Sequence, residues 1–534
     1  MIQLQDAKTR ADRPADTPLK TRHLVILLAA THTPLGLMWG AVPQAYQYGQ
    51  VESMPLVFAF IGLVSLAFVL GYSGLAKRVR HPGGLYVQIA HGLGRPAGLG
   101  AAAVLVVAYT GLIANLYSFF SLVFVSVLDS LTGIKLPVWA GIVICVAVVA
   151  LLGRLRLKQM TPVLTIVIGL QIVVVLVCVV EAFRSPAGGH VSLQSLEPGG
   201  LLTGSFAAAL VYAIIASVGT EVSASYTDEL EDPQHSLPRA TYLSYAITTT
   251  VMIVSAVGLS VVAGPENLPV LADKAGLALM PMLLAQIAGA KAAVAVLNVL
   301  LSVLLIGIIG GALALQNALR RQLSGLARDG VLPHRFKSRA AGDPPQFSLF
   351  VAQPVVAGGL AIFGTRLEGQ ILPLWFQIAS ALAITSMLTL ASLGTVSWFL
   401  RGEDDESGFM GWEGQVVAAA FAAVTTGLIF TYGITHVSKV APGSAEAAKW
   451  LVAALIFGPF LIGGLVALWL RAARPKIYAM IGRSTAEPAE PRPHAPSYPP
   501  SVDPARWIAP AQQVSQPQPR RPQEQDTTEW WSAR

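Results

Sequence analysis

The sequence is poor in charge. Only 12% of its 534 residues are Asp, Glu, Lys or Arg, whereas 54% are hydrophobic. A soluble protein carries about twice that charged fraction, so the composition excludes a chain of two or three soluble domains. The apolar residues cluster in runs of about 20, the length that crosses the hydrocarbon core of a membrane as a helix. We therefore predict an all-α polytopic membrane protein.

Cysteines and enzyme motifs are also scarce. The two cysteines, Cys145 and Cys178, fall inside apolar runs, which favours packing residues over a disulfide or a metal site. The sequence contains no HExxH, no GxSxG and no loop cluster of His and Asp. We therefore expect no enzyme activity, no cofactor and no bound metal. The net charge of +7 lies between the hydrophobic runs and near the termini, where it sets topology rather than binding nucleic acid.

The hydrophobic runs predict twelve transmembrane helices. The first six lie near 23–46, 55–76, 98–127, 136–153, 160–183 and 201–226, and the second six near 239–263, 292–318, 347–364, 372–400, 414–433 and 448–471. Two short stretches, 83–94 and 277–290, are predicted as helices that do not span.

Lys and Arg predict the orientation of these spans. They concentrate in alternate loops, such as 77–80, 154–158 and 320–339, and basic loops stay in the cytoplasm. We expect both termini on the cytoplasmic side of the cell membrane and no cleaved signal peptide. The predicted domains are a cytoplasmic N-terminal tail over 1–22, a twelve-helix domain over 23–474 and a disordered, Pro-rich cytoplasmic tail over 475–534.

Two spans contain an ionisable residue beside residues that interrupt a helix. The first reads ATHTPLGLMWG over 30–40, with His32, and the sixth reads ASVGTEVSAS over 216–225, with Glu221. Ionisable residues in a membrane are costly and mark function, and irregular backbone at that depth faces protein or a cavity. The interruptions lie five spans apart, which predicts two inverted repeats over about 23–183 and 201–400, with helices 11 and 12 over about 414–471.

An interrupted helix exposes backbone groups to a substrate. Amide N–H groups at a helix N-terminus attract a carboxylate, and carbonyl groups at a C-terminus attract an ammonium group. An α-amino acid carries both. Tyrosines and amides in spans are also typical of residues that pack or bond across helices, so both interpretations stay open for several candidates. The predicted substrate-binding residues are Thr31, His32, Thr33, Gly36, Tyr109, Asn115, Tyr212, Ser217 and Gly219.

Glu221 and His32 are the predicted proton-coupling residues. Glu221 can take up and release a proton during transport, or it can act as a fixed acceptor for nearby backbone N–H groups. His32 titrates near neutral pH in water, so it can relay a proton or contact the substrate. It can equally pack the interrupted turn as a neutral, hydrogen-bonded side chain.

Three stretches resemble a known family. VGTEVSASYTDELEDPQHSLPRA (218–240), HPGGLYVQ (81–88) and RRQLSGLARDGVLPHRF (320–336) resemble the signatures of amino acid permeases of the amino acid–polyamine–organocation superfamily. The resemblance covers roughly residues 20–475. It implies a LeuT-type fold of 5+5 inverted repeats with broken helices 1 and 6, alternating access, and a substrate site between the breaks. Pro34 departs from the family's glycine-rich first break, and Thr220 replaces its usual aromatic residue.

Together these features predict a secondary active transporter of an amino acid or related amine. The resemblance implies that a sodium site would take hydroxyl ligands from span 8, because a hard cation needs oxygen ligands. Span 8 has no Ser or Thr between Ile306 and Arg321. We therefore expect a proton-coupled, sodium-independent symporter whose partners are its substrate, protons and the lipid bilayer. The alternatives are an exchanger without proton coupling, or a membrane sensor that does not transport. The sequence specifies no oligomeric state.

Overall fold

The long apolar helices of the protein pack side by side in one bundle. A computed structural model describes residues 19–76, 81, 83–155, 157–230, 232–333, 336, 347–366, 372–401, 411–440 and 447–483. Within these ranges the regular structure is helical, apart from an isolated bridge between Leu19 and Leu230. The all-α prediction is confirmed.

The helices are numbered here in chain order. They are α1 (Thr21–His32), α2 (Val42–Gly49), α3 (Met54–Ala76), α4 (Leu85–Leu93), α5 (Arg95–Thr132), α6 (Val138–Leu152), α7 (Leu157–Arg184), α8 (Phe206–Ser217), α9 (Pro233–Ala263), α10 (Leu268–Ala275), α11 (Leu279–Ala288), α12 (Ala290–Arg328), α13 (Phe347–Arg366), α14 (Leu372–Leu400), α15 (Gly411–Thr435), α16 (Ala447–Ala473) and α17 (Pro475–Met480).

Three irregular segments join some of these helices. The turn Pro34–Gly36 and the π-helix Leu37–Ala41 connect α1 to α2, and the 3₁₀-helix Thr220–Glu229 follows α8. In the described residues, ten stretches are long and apolar enough to cross a membrane, and two apolar helices, Val138–Leu152 and Ala352–Thr365, are shorter. Ten of the predicted spans coincide with these ten stretches, and the two others, 136–153 and 347–364, coincide with the shorter helices, so the total of twelve spans stays a prediction.

The two predicted non-spanning stretches are also helical. They correspond to α4, and to α11, which meets α10 at an angle of 119°. Glycines with positive φ, Gly84 before α4 and Gly289 after α11, mark the ends of these short helices. A residue without a Cβ adopts such a backbone conformation at little cost.

Asp329, which directly follows α12, ties three distant segments of the chain together. Its carboxylate accepts hydrogen bonds from His81 Nε2 at 2.9 Å, from the Tyr86 hydroxyl at 3.0 Å and from the Gly482 N–H at 3.0 Å. The Gly83 N–H donates to His81 Nδ1 at 3.0 Å, which places the ring proton on Nε2. Burial, followed by the Asp329 carboxylate, raises the pKa of the Tyr86 hydroxyl, so this group stays a donor.

The bond to Gly482 bears on the predicted C-terminal boundary. The sequence assigned everything after residue 474 to a disordered tail, but Pro475–Met480 form α17, and Ile481 is buried. The described chain therefore continues beyond the predicted boundary, as far as Arg483. Residues 484–534, which carry most of the predicted tail, lie outside the described residues, as do residues 1–18 of the predicted N-terminal tail.

Candidate functional site

A cavity of about 380 Å³ lies against the interruption between α1 and α2. Its volume falls in the range of small-molecule sites, which is roughly 300–1,000 Å³. Its wall combines this interruption with the end of α8 and with side chains of α5, α12 and α14. The lining residues include Thr31, His32, Thr33, Gly36, Trp39, Gln44, Gln47, Tyr48, Asn115, Phe119, Ile215, Ala216, Val218, Leu315 and Gln377.

The first interruption begins at Thr33. This residue adopts φ 42° and ψ 86°, a left-handed conformation, and so ends α1 at His32. Pro34 then starts a new turn, and a proline brings no N–H of its own. The next amide, that of Leu35, donates to Gln171 Oε1 on α7 at 3.1 Å. A neutral side chain from another helix thus satisfies the backbone at this break.

The second interruption begins at Gly219. α8 ends at Ser217, and Gly219 adopts φ 132° and ψ −25°, a region that an L side chain avoids. Its N–H donates to Glu221 Oε2 at 2.6 Å, and the Tyr109 hydroxyl lies 3.4 Å from Glu221 Oε1. Glu221 is only 2% exposed. An ionisable side chain of the same segment thus satisfies the backbone at this break.

The two interruptions pack directly against each other. His32 Nε2 lies 3.1 Å from the Ser217 carbonyl oxygen, and His32 Nδ1 lies 3.2 Å from the carbonyl oxygen of Leu28. A Cβ built on Gly219 would lie 2.7 Å from Thr31 Oγ1. The end of α1 is therefore hydrogen-bonded to the end of α8, and any movement of one end strains the other.

The histidine at this junction faces both donors and acceptors. Thr31 Oγ1 lies 3.1 Å from His32 Nδ1 and also donates to the Leu28 carbonyl oxygen at 2.7 Å. A neutral ring can donate from Nε2 to Ser217, and protonation adds a second donor towards Leu28. Because both ring nitrogens face carbonyl oxygens, a neutral His32 can donate to only one of them, and a protonated His32 can donate to both.

The predicted substrate-binding residues divide into two groups. Thr31, His32, Thr33, Gly36 and Asn115 line the cavity. The remaining four lie outside its wall. They are Tyr109, Tyr212, Ser217 and Gly219.

Each of these four has a partner within the protein. The Tyr212 ring stacks on Tyr48 with centroids 4.8 Å apart, and its hydroxyl donates to the Val440 carbonyl oxygen. Ser217 donates to the carbonyl oxygens of Ala213 and Ile214 at 3.1 and 3.0 Å, in addition to accepting from His32. Tyr109 and Gly219 both contact Glu221, so these two residues form hydrogen bonds with its carboxylate and do not line the cavity.

The sequence prediction missed the polar residues of α2 and α14. Gln44, Gln47 and Tyr48 lie three and four positions apart on one face of α2 and line the cavity together with Gln377 of α14. A signal was present in the sequence, because PQAYQYGQ over 43–50 places polar groups at helical spacing within an apolar run. Among the residues that the structure describes, no Asp, Glu, Lys or Arg belongs to the wall.

Hard-cation ligands are sparse around the first interruption. α12 packs against it through Gly311, where a built Cβ would lie 2.9 Å from Thr33 Cγ2 and 3.1 Å from the Ala30 carbonyl oxygen. No hydroxyl side chain occurs on α12 between Ile306 and Arg321. In the part of the chain that the structure describes, no three His, Cys, Asp or Glu side chains group as metal ligands do.

Comparison with protein families identifies a family for this chain. The sequence model of a family described as amino acid permease covers residues 35–412, which is more than half of the chain. This range starts within the first interruption, includes the second, and ends at the beginning of α15. No curated protein matches the chain.

Proposed function

The chain belongs to the amino acid permease family of the amino acid–polyamine–organocation superfamily, and we propose that it is a secondary active transporter working by alternating access. The substrate is an amino acid or a related amine. The observation that carries this proposal is the meeting of two interrupted helices at one cavity, with the buried carboxylate of Glu221 at the second interruption. Membership places the chain among multi-pass membrane transporters rather than enzymes.

We propose twelve spans in a LeuT-type arrangement, with α6 and α13 as its two short spans. The likeness of the two interruptions supports an inverted repeat. Each follows a helix of 12 residues, α1 or α8, and each begins with a residue of positive φ. We also propose that both termini face the cytoplasm of the cell, because Lys and Arg concentrate in the loops on that side.

The substrate's ammonium group is proposed to bind between the ends of α1 and α8. Both ends contribute residues to the cavity wall, Thr31 and His32 from α1 and Ala216 from α8. A helix C-terminus carries a partial negative charge of about half an electron. Two such ends at one cavity can attract a cation, even though no acidic side chain of the described residues lines the cavity.

Glu221 is proposed to couple transport to protons. An ionised carboxylate makes a charge-assisted bond to the Gly219 N–H, whereas a protonated one accepts that hydrogen more weakly. Protonation would therefore loosen the backbone at the second interruption. His32 bonds to the Ser217 carbonyl oxygen two residues before Gly219, so this loosening would reach the cavity wall. His32 is accordingly proposed as a positioning residue, with proton relay as its alternative role.

Sodium independence is proposed from the surroundings of the first interruption. α12 presents Gly311 and no hydroxyl to the carbonyl groups there. A sodium site needs several oxygen ligands arranged around one point, and backbone carbonyls of a single break supply too few.

Uptake into proteoliposomes tests the proposal. We expect an inward proton gradient to drive accumulation of the substrate, a protonophore to abolish it, and replacement of sodium by choline at constant pH to leave it unchanged. Uptake that stops in choline would overturn sodium independence. Counterflow without gradient-driven accumulation would identify an exchanger, and the absence of any uptake, with binding retained, would identify a sensor.

A further inference from the structure

We infer that the substrate is a neutral amino acid whose side chain forms hydrogen bonds without carrying a charge, such as an amide or a hydroxyl. This inference rests on the proposed function and narrows it. It comes from the composition of the cavity wall and from one buried acceptor within it.

The wall sets the charge that a substrate can bring. In the described part of the chain, no Asp, Glu, Lys or Arg side chain lines the cavity, and an unpaired charge moved out of water into such surroundings carries a large desolvation penalty. The two charges of a zwitterion largely compensate each other, and the helix ends described above hold the ammonium group. A further charge on the side chain, as in glutamate, lysine or a diamine, would have no partner.

The wall also contains an acceptor that lacks a donor. Gln44 Oε1 is fully buried and accepts no hydrogen bond from the residues that the structure describes. A buried acceptor of this kind destabilises the site until a donor reaches it. The Gln44 side chain lines the cavity, so a rotation of its amide would bring this oxygen within reach of an N–H or O–H group on the substrate, whereas a hydrocarbon side chain would leave the acceptor unsatisfied.

The surrounding residues are suited to reading an amide or hydroxyl group. Gln44 and Gln47 project from one face of α2, and Gln377 adds a third side-chain amide from α14. A glutamine side chain donates and accepts at once, so it pairs with a group that does the same. Trp39 and Phe119 supply apolar surface for the substrate's methylene groups. Such a site discriminates strongly, because a substrate without the polar group leaves the site's own groups unpaired.

Ligands of matched size test the inference. Glutamine and glutamate have the same shape and differ in charge, while glutamine and methionine have similar length and differ in hydrogen bonding. The affinities of these three compounds, and of lysine and putrescine, can be measured by thermal shift and by competition for uptake in proteoliposomes. We expect glutamine to bind about tenfold more tightly than methionine and about a hundredfold more tightly than the charged compounds.

Variants of Gln44 make the test independent of ligand choice. Gln44→Leu should weaken glutamine binding about tenfold and so reduce the preference for glutamine over methionine to about one. Gln44→Glu should instead improve the binding of lysine about tenfold, by supplying a partner for its charge. The matched control is Gln353→Leu, which alters a buried glutamine on α13 outside the cavity wall whose amide atoms also lack a described partner.

The outcomes separate this inference from the proposed function. Uptake of glutamate, lysine or putrescine in preference to glutamine would overturn the inference and leave the transporter assignment intact. An unchanged glutamine preference in Gln44→Leu would also overturn it. If no amino acid or amine is taken up by the wild-type protein, the proposed function itself fails.

Discussion

At each of the two interrupted helices a side chain accepts a hydrogen bond from a free backbone N–H group, but the two acceptors differ in chemistry. At the first, Leu35 donates to Gln171, a neutral amide on another helix. At the second, Gly219 donates to Glu221, a carboxylate two residues further along the same segment. An amide keeps one charge state at all ordinary pH values, whereas a carboxylate changes its strength as an acceptor when it is protonated. We infer that the first break is a fixed support and the second is the part that responds to protons.

The two breaks differ equally in their backbones. The first contains a β-branched residue, Thr33, in a left-handed conformation, and the second contains a glycine, Gly219, in a conformation open to glycine alone. Thr33 lies against the open cavity, while Gly219 is pressed against Thr31. A side chain at Gly219 would therefore meet both a close contact and a strained φ, whereas one at Gly36 would meet a close contact only, so substitution at Gly219 should cost more.

The largest effect is expected from Glu221→Gln. The variant keeps the shape of the side chain and an oxygen for the Gly219 N–H, but it cannot bind or release a proton. Gradient-driven accumulation should fall at least tenfold, to the level of an uncoupled carrier, while the melting temperature changes by only a few degrees. Uptake assays between about pH 5 and pH 8 measure this loss.

Glu413→Gln is the control, because Glu413 is an exposed residue in the first turn of α15. It removes the same charge away from both breaks and should leave the pH profile unchanged. If Glu221→Gln accumulates substrate like the wild type across the pH range, the second break is not the proton-responsive part and the comparison fails.

Gly219→Ala should have the next largest effect. A Cβ there would lie 2.7 Å from Thr31 Oγ1, and φ 132° is strained for any L residue. We expect a loss of about 2–4 kcal/mol in unfolding free energy and a marked loss of uptake. The matched variant at the first break is Gly36→Ala. A Cβ on Gly36 would press on Thr33 Oγ1, but Gly36 has helical dihedrals of −66° and −33°, so the substitution adds no backbone strain. Equal losses in both variants, measured by thermal unfolding in detergent, would contradict the difference in backbone strain.

Gln171→Leu tests whether the first break is a fixed support. The substitution leaves the Leu35 N–H without its acceptor, and a buried unsatisfied donor costs about 1–3 kcal/mol. The melting temperature should fall, but the pH dependence of the remaining uptake should match that of the wild type, because no titrating group has changed. A shifted pH optimum would show that the first break also takes part in coupling.

The positions of both breaks were predictable from the sequence, and their chemistry was not. Pro34, Gly36 and Gly219 mark interrupted helices because their backbones depart from the regular pattern. The partner of Leu35 lies 136 positions away, and no local pattern predicts which of several span glutamines reaches it. The left-handed residue at the first break was equally unpredictable, because Thr33 rather than a glycine adopts it.

The cavity residues also divide into those that the local sequence predicts and those that depend on distant parts of the chain. Four residues at the first break were predicted and line the cavity, namely Thr31, His32, Thr33 and Gly36. Tyr109 was predicted as a cavity residue, but it points to Glu221, since the orientation of a side chain on a long helix depends on neighbours that are distant in sequence. The glutamines of α2 were not predicted, because a neutral amide in a membrane span is a weaker sign of function than an ionisable side chain.

The smallest effect is expected from Thr33→Gly, the reverse of Gly219→Ala. Removing the side chain relieves a left-handed strain of about 1–2 kcal/mol, but the added freedom of the unfolded chain offsets about 0.4–1 kcal/mol of that gain. The loss of the methyl group that packs against Gly311 removes roughly another 0.8 kcal/mol. These contributions nearly cancel, so the melting temperature should move by no more than a few degrees. A drop comparable to that of Gly219→Ala would show that the Thr33 side chain holds the first break in place. The two breaks would then be equally sensitive to substitution, and they would differ only in that Glu221 can bind a proton and Gln171 cannot.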